Sequence, residues 1–206
     1  MEWASKIRRV GNAVARRTLR STQITVCRAL SSDLSADGYI VGYRLVRLSG
    51  RVTPAEEVLI RDAMRTAGES VEHVADRLPH GDIFFGWQRE DRIVSFGWAR
   101  FHDRWVGPVR MVDAPNRVYI YNFQTLPEYR RQGLYLHLLL AIPKKLAGEN
   151  PIEVMVEVNR ENQASARVLK KAGFLPVGEI RFWTLLSRWP IAARKIRFGV
   201  PGLASW

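Results

Sequence analysis

The stretch Thr125-Leu126-Pro127-Glu128-Tyr129-Arg130-Arg131-Gln132-Gly133-Leu134-Tyr135 carries a strong chemical signal. A β-rich run ends, Pro127 breaks it, and an Arg/Gln/Gly turn feeds directly into a helical pattern. A helix start offers unpaired N–H groups and a partial positive charge, and a glycine lets an anion approach the backbone closely. Arg130 and Arg131 add full charges beside it. The chemistry this suits is phosphate or pyrophosphate binding, although the spacing is neither a Walker loop nor a dinucleotide G-x-G-x-x-G. Taken alone, a strand–helix turn with surface arginines explains the same residues equally well.

A second stretch runs Val156-Glu157-Val158-Asn159-Arg160-Glu161-Asn162-Gln163-Ala164-Ser165 and closes at Lys171-Ala172-Gly173-Phe174. Glu157 falls near the end of an apolar strand pattern, before an Asn/Ser-rich turn and a helix ended by Gly173. A carboxylate desolvated there has its pKa raised toward the range of a general base. The alternative is a structural carboxylate tied to backbone. Tyr119 and Tyr121, on the strand before the first stretch, are further catalytic candidates, with core packing as their other role.

Together the two stretches resemble the GNAT superfamily of acyl-CoA N-acyltransferases. Pro127–Tyr135 is similar to its motif A, P-x-x-R-x-x-G-φ-(G/A). Asn162-Gln163-Ala164-Ser165 with Lys171-Ala172-Gly173-Phe174 is similar to motif B. The motifs stand about thirty residues apart, with fitting strands and helices between, and cover about 118–186. The resemblance implies an α/β fold: a mixed, strongly twisted sheet flanked by helices, splayed between its fourth and fifth strands, with acetyl-CoA as co-substrate in the opening. It implies that Thr125 and Leu126 pair their backbone with the pantetheine arm, the Leu126 amide facing the thioester oxygen. Arg130, Arg131, Gln132, Gly133, Leu134 and Tyr135 would cradle the pyrophosphate, and Asn162 and Ser165 would contact the pantetheine or the sulfur end. The reaction implied is N-acetyl transfer to a primary amine by direct attack, with Glu157 as base. Tyr135 stands where many members have Gly or Ala. Leu169 stands where ribosomal-protein N-terminal acetyltransferases and many relatives place a Tyr acid. Both departures favour the alternative of a non-catalytic GNAT-fold protein binding acyl-CoA, lipid or a partner.

Elements must hold these residues in place. The pattern predicts a short strand at Gln23–Cys27, a strand over Tyr39–Leu48, and a helix capped at Thr53-Pro54 and running to about Thr66. It predicts a second helix over about Glu69–Arg77, then a hairpin of Ile83–Gln88 and Ile93–Phe101. A loop of about sixteen residues follows, His102–Arg117, long enough to line a site. Then come a strand over Val118–Thr125, a helix from about Gly133 to Leu146, a strand over Ile152–Val158, a helix over Glu161–Ala172 and a strand over Gly178–Leu186. Pro143 predicts a kink or restart in the helix that contains it. Trp87, Trp98 and Trp105 are candidates for the acceptor pocket, or else for core and rim. With the long loop and the aromatic hairpin to close a pocket, a small-molecule or sugar-linked amine is the expected acceptor, ahead of a protein N-terminus.

The chain has 206 residues and a formal net charge of +12, unevenly placed. Residues 1–20 and 181–206 each carry a net +5, leaving a nearly neutral body. Residues 1–22 read as a basic amphipathic helix, 23–186 as the acyltransferase domain and 187–206 as a basic extension. The stripe of Trp3, Ile7, Val10 and Val14 packs on the domain or on a twin subunit in a homodimer, lies on a membrane surface, or marks a transit peptide. The tail from Trp183 reads as an interfacial segment or as an extra strand wrapping the domain. Nucleic-acid binding is not expected, because the basic residues flank the body instead of forming a stripe interleaved with stacking aromatics. No run approaches 18 apolar residues, so no spanning helix is expected. The single cysteine, Cys27, fits a reducing, cytoplasmic setting. The four scattered histidines lack metal-ligand spacing, so no metal is expected.

Overall fold

The computed structural model describes residues 19–34, 40–101, 103–106, 109–111, 114–185 and 189–197. In chain order the elements are β1 (Leu19–Leu30), β2 (Arg44–Ser49), α1 (Pro54–Thr66), α2 (Glu72–Arg77), β3 (Ile83–Arg89) and β4 (Arg92–Arg100). They continue with β5 (Arg104–Val106), β6 (Val109–Met111), β7 (Arg117–Thr125), α3 (Leu134–Ala147), β8 (Glu153–Asn159), α4 (Gln163–Lys171), β9 (Leu175–Leu185) and β10 (Trp189–Arg197). Eight strands form one mixed sheet in the order β10-β9-β1-β8-β7-β4-β3-β2.

One pair in this sheet is parallel. β7 and β8 are in register from Arg117↔Glu153 to Ile120↔Val156 and pair no further. Each continues beside its outer neighbour: β7 is paired with β4 out to Thr125↔Ser95, and β8 with β1 out to Asn159↔Ile24. The two strands therefore part toward their carboxyl ends while each stays anchored on the far side. This is the splay between central strands that the family resemblance implies. Asn122 marks it on β7, with a left-handed φ of 52° where the β4 register shifts between Phe96 and Trp98. A bulge of this kind bends the strand and strengthens its twist.

The two faces of the sheet are buried by different helices. α3 and α4 cover one, where Val118, Ile120, Val154 and Val156 pack with Leu134, Leu138, Leu139, Ile142 and Leu169. α1 and α2 cover the other over β3 and β4, where Phe84, Phe96, Trp98 and Tyr121 meet Ile60, Met64 and Val74. That second face continues across the wedge to Tyr119, Met155, Val26, Ile180 and Phe182. β7 and β8 are covered on both faces near their amino ends, which accounts for their near-continuous apolar sequence.

Several elements differ from the sequence pattern, each for a local reason. The strand expected at Gln23–Cys27 is the middle of the twelve-residue β1, which lies inside the sheet between β8 and β9. The strand expected from Tyr39 starts only at Arg44, because Gly42 takes a φ of 83° and the Tyr43 amide closes a turn on the Ile40 carbonyl. The helix expected from Glu69 starts at Glu72. Glu69 belongs instead to the C-cap of α1, where Gly68 is left-handed and the Glu69 amide donates to the Met64 carbonyl at 2.9 Å. At its other end α1 has a full capping box, Thr53 and Glu56 bonding each other's backbone amides. The loop over 102–117 contains the small β5–β6 hairpin.

Pro143 does not interrupt α3, which runs unbroken for 14 residues. A missing backbone bond costs about 3 kcal/mol. Burial of Leu138, Leu139, Leu140 and Ile142 offsets it, at roughly 1.5–3 kcal/mol for each such side chain. The sheet also extends past both boundaries drawn from the sequence: β1 begins at Leu19, and β10 pairs with β9 from Trp189↔Leu185 to Arg197↔Gly178. Apart from Leu19 and Arg20, which are strand, the basic N-terminal stretch lies outside the described residues. No helix among the described residues is long and apolar enough to cross a membrane.

Candidate active site

The parting of β7 and β8 leaves the β8-facing edge of β7 without a strand partner past Ile120 among the described residues. Strand alternation decides which of its backbone groups face the opening. The Leu126 amide donates to the Val94 carbonyl at 2.9 Å, so it points toward β4 and away from the wedge. Two residues earlier, the Gln124 carbonyl also faces β4 and accepts from Ser95 Oγ at 3.0 Å. Phe123 and Thr125 therefore direct their amides and carbonyls into the wedge. The amide expected at the thioester oxygen, that of Leu126, is bonded to the Val94 carbonyl, and the amides that face the wedge are those of Phe123 and Thr125. The Thr125 carbonyl accepts from Arg130 Nε at 3.1 Å. Opposite the bulge, only glycine fits at position 97, since a Cβ there would stand 2.5 Å from Phe123 Cε1.

The turn into α3 follows at once. Pro127–Tyr129 forms a single 3-10 turn, and Gly133, at a φ of 77°, is the N-cap of α3. Arg131 is also left-handed, with a φ of 64°. The first-turn amides of α3 consequently open toward the wedge, flanked by the exposed Arg130 and Arg131. Gln132 is held from outside: the Tyr43 hydroxyl donates to Gln132 Oε1 at 2.8 Å. Trp87 Nε1 donates to the Leu134 carbonyl at 3.2 Å and fixes the first turn of α3 onto β3.

α4 closes the other side. Asn162 is its N-cap, and the Asn162 side chain accepts from the Ser165 amide at 3.1 Å. Tyr135, in the first turn of α3, bridges the parts. Its ring lies 5.2 Å from that of Phe123, and its hydroxyl lies beside the Ser165 side chain. Burial pushes the Tyr135 phenol up to about 12. Between these elements lies a cleft of about 660 Å³, lined by Phe123, Gln124 and Thr125 of β7, by residues 129–131 and 133–136, and by Asn162, Ala164, Ser165 and Val168. Of the expected cofactor residues, Thr125, Arg130, Arg131, Gly133, Leu134, Tyr135, Asn162 and Ser165 line this cleft; Leu126 and Gln132 do not.

Glu157 lies one residue beyond the last β7–β8 pair, half-buried, opposite Val26 on β1. Alternation puts it on the face of Met155 and Tyr119, away from α3 and α4, and it is not among the residues lining the cleft. Tyr121 shares that face but its hydroxyl is committed: it donates to Asp82 Oδ2 at 2.5 Å. Asp82 is fully buried and also binds Arg100 through Nε and Nη2, both at 2.5 Å. Burial, and then the bond to Asp82, drive the Tyr121 phenol well above its ordinary range. This suits a fixed hydrogen-bond donor and not a base. Tyr119 is buried among Val26, Met155 and Ile180. Trp87 and Trp98 are core residues, at 1% and 0% exposure; the side chain of Trp105 lies outside the described residues.

One carboxylate at this site escaped the sequence pattern. Glu69, in the turn between α1 and α2, accepts from Gln124 Nε2 at 2.7 Å. It also lies within 3.4 Å of the Asn122 carboxamide at the bulge. Its only signal in the sequence is a glutamate just after Ala67-Gly68, and it reads there as a helix residue. Among the described residues no group of three or more His, Cys, Asp and Glu side chains is placed to hold a metal ion.

Comparison with known proteins agrees with this geometry. The model of the acetyltransferase (GNAT) family matches residues 52–174. No curated protein matches the chain. Among solved structures, an acetyltransferase of the GNAT family from Colwellia psychrerythraea superposes with a TM-score of 0.58 at 13% identity, over 82% of this chain and 57% of the other. A GCN5-related N-acetyltransferase from Sphaerobacter thermophilus gives 0.56 at 13% identity, over 95% and 59%. The ribosomal-protein-S18-alanine N-acetyltransferase of Escherichia coli gives 0.51 at 13% identity, over 79% and 99%. The chain spans 57–66% of the length of the first relatives it matches. The family match covers more than half of the sequence and takes in the bulged β7, the turn into α3 and the α4 cap: the chain belongs to the GNAT acetyltransferase family.

Proposed function

We propose that the protein transfers an acetyl group from acetyl-CoA to a primary amine, small-molecule or sugar-linked, by direct attack. The observation that carries this reading is the single cleft joining the unpaired edge of β7 to the N-terminus of α3. Its parts match an acyl-CoA thioester in order. The amides at the start of α3, with Arg130 and Arg131, suit a pyrophosphate. The Phe123 and Thr125 backbone suits the amides of a pantetheine arm laid along β7 as an extra strand. The Phe123 amide, next to the bulge, is the donor for the oxygen that becomes negative when the carbonyl is attacked; a donor of this kind contributes about 3–4 kcal/mol to catalysis.

The acceptor approaches from the opposite face, where Glu157 and Glu69 lie. Glu69 holds the ammonium form during binding, Glu157 takes one proton to free the amine, and the second proton leaves the nitrogen after attack and ends on the departing thiolate. The nitrogen–carbon bond forms, the carbon–sulfur bond breaks, and the electron pair leaves on the sulfur. Leu169, at 1% exposure, is part of the core and supplies no proton. A thiolate whose acid has a pKa near 8.5 leaves readily without one. A protein N-terminus is the second reading, favoured by the place of Glu157 five residues before Asn162, as in the ribosomal-protein N-terminal acetyltransferases that motif B resembles.

Free thiol released from acetyl-CoA, measured with amino sugars, diamines and short peptides in turn, tests the reading. Stoichiometric release with an acetylated amine detected by mass supports it, and the productive class names the acceptor. Binding of acetyl-CoA with no release on any amine favours the non-catalytic alternative.

A further inference from the structure

We infer that Tyr135 sets the size of the acyl group this protein accepts, admitting acetyl and excluding medium chains. The inference rests on the acyl-CoA reading above and assigns a residue within the same cleft.

The geometry points to a filter. Tyr135 leaves the first turn of α3 and spans the opening. On one side its ring packs against Phe123 of β7, with centroids 5.2 Å apart. On the other its hydroxyl lies beside the Ser165 side chain in the first turn of α4. Tyr135 also packs against the core cluster under α3 and α4, and its hydroxyl is close enough to feel Cys27 of β1. A thioester carbonyl held at the Phe123 amide thus has the phenol ring beside it. An acyl chain that continues inward from the carbonyl meets that ring within a few bonds. The ring is contacted at both ends, by the tilted Phe123 ring and by the Ser165 side chain, so displacing it forfeits two contacts.

A proton-donating role for the same hydroxyl is disfavoured on magnitude. The Tyr135 phenol stands near 12, while the departing thiolate needs a donor matched to an acid near 8.5, so the transfer runs strongly uphill. Space, not acidity, is what Tyr135 contributes.

The test is calorimetric titration of the full chain with coenzyme A, acetyl-CoA and hexanoyl-CoA, which needs no acceptor. Wild type is expected to bind hexanoyl-CoA at least tenfold more weakly than acetyl-CoA. Tyr135→Ala opens the wedge, and each methylene it then buries tightens binding about fourfold; hexanoyl-CoA should gain at least tenfold against acetyl-CoA. Tyr135→Phe keeps the ring and should keep the wild-type ratio; the hexanoyl-CoA to acetyl-CoA ratio within each variant is the readout, so any change in coenzyme A affinity common to both thioesters cancels. Equal affinity of wild type for the two thioesters, or an unchanged ratio in Tyr135→Ala, overturns the filter while leaving acyl-CoA binding intact. If Tyr135→Ala does not fold, the wild-type and Tyr135→Leu ratios decide in the same way. Thioester binding only after Tyr135 is removed makes the residue a plug and also overturns the filter. Failure of every variant to bind any thioester or coenzyme A overturns the acetyltransferase reading, and the filter falls with it.

Discussion

The Leu126 amide donates to the Val94 carbonyl at 2.9 Å, which fixes the orientation of every backbone group on the last turn-free stretch of β7. Leu126 and Gln124 face β4; Phe123 and Thr125 face the wedge. Amide hydrogen exchange reads this directly. In the free protein the Leu126 amide should be protected, and those of Phe123 and Thr125 should exchange faster. Adding acetyl-CoA should protect the latter two and leave Leu126 unchanged. Protection of Phe123 in the free protein, unaltered by the ligand, would place the oxyanion donor elsewhere.

The roles proposed for Glu157 and Glu69 are separable. Glu157→Gln removes the proposed base, so kcat/KM for the amine should fall by about 10²–10⁴-fold. Glu69→Gln removes a charge that meets the ammonium, so KM for the amine should rise several-fold while kcat is largely kept. A full rate for Glu157→Gln at every pH would eliminate it as base.

Asp82 joins Arg100 and Tyr121 in one buried network. Asp82→Ala leaves the arginine without its partner and should cost about 3–5 kcal/mol in urea unfolding. Tyr121→Phe loses one bond, about 1–2 kcal/mol, and should keep normal turnover per folded molecule. A collapse of kcat in folded Tyr121→Phe would restore Tyr121 as a catalytic residue.

Stability should fall in alkali, and Cys27 gives the sign. Burial pushes its thiol up to about 11 from an ordinary 9.0. The contribution is complete below about pH 9, where both states are protonated. Between there and about 11 the unfolded chain alone loses the proton, so stability drops by roughly 1.4 kcal/mol per pH unit. Melting curves from pH 8 to 10.5 should show this slope flattened in Cys27→Ala. An identical pH dependence in the variant would assign the loss to other groups, such as the buried tyrosines.

Much of the site was legible because it depends on local signals. Pro127 and Gly133 punctuate a strand, a turn and a helix within nine residues, and Asn162 and Gly173 bracket α4. What the pattern could not carry was long-range pairing. Nothing local in Leu19–Leu30 says that it inserts between β8 and β9, or that this pairing holds β8 away from β7. Glu69 was hidden for a similar reason: the left-handed Gly68 turns it out of a helix and toward Gln124, a residue 55 positions later. The sequence alone pointed to the Leu126 amide and not that of Phe123, three residues earlier, because which amides face the wedge depends on strand alternation after the bulge at Asn122.

Acetyl-CoA titrated into wild type and into an Arg130→Ala/Arg131→Ala variant tests the central claim most directly. The claim is that this cleft seats an acyl-CoA with its phosphates at the start of α3. Charge-assisted hydrogen bonds contribute about 1.5–3 kcal/mol each, so one-to-one binding by wild type should weaken at least tenfold in the variant, with a smaller salt dependence. Equal affinity in the two proteins, at any salt concentration, would contradict it.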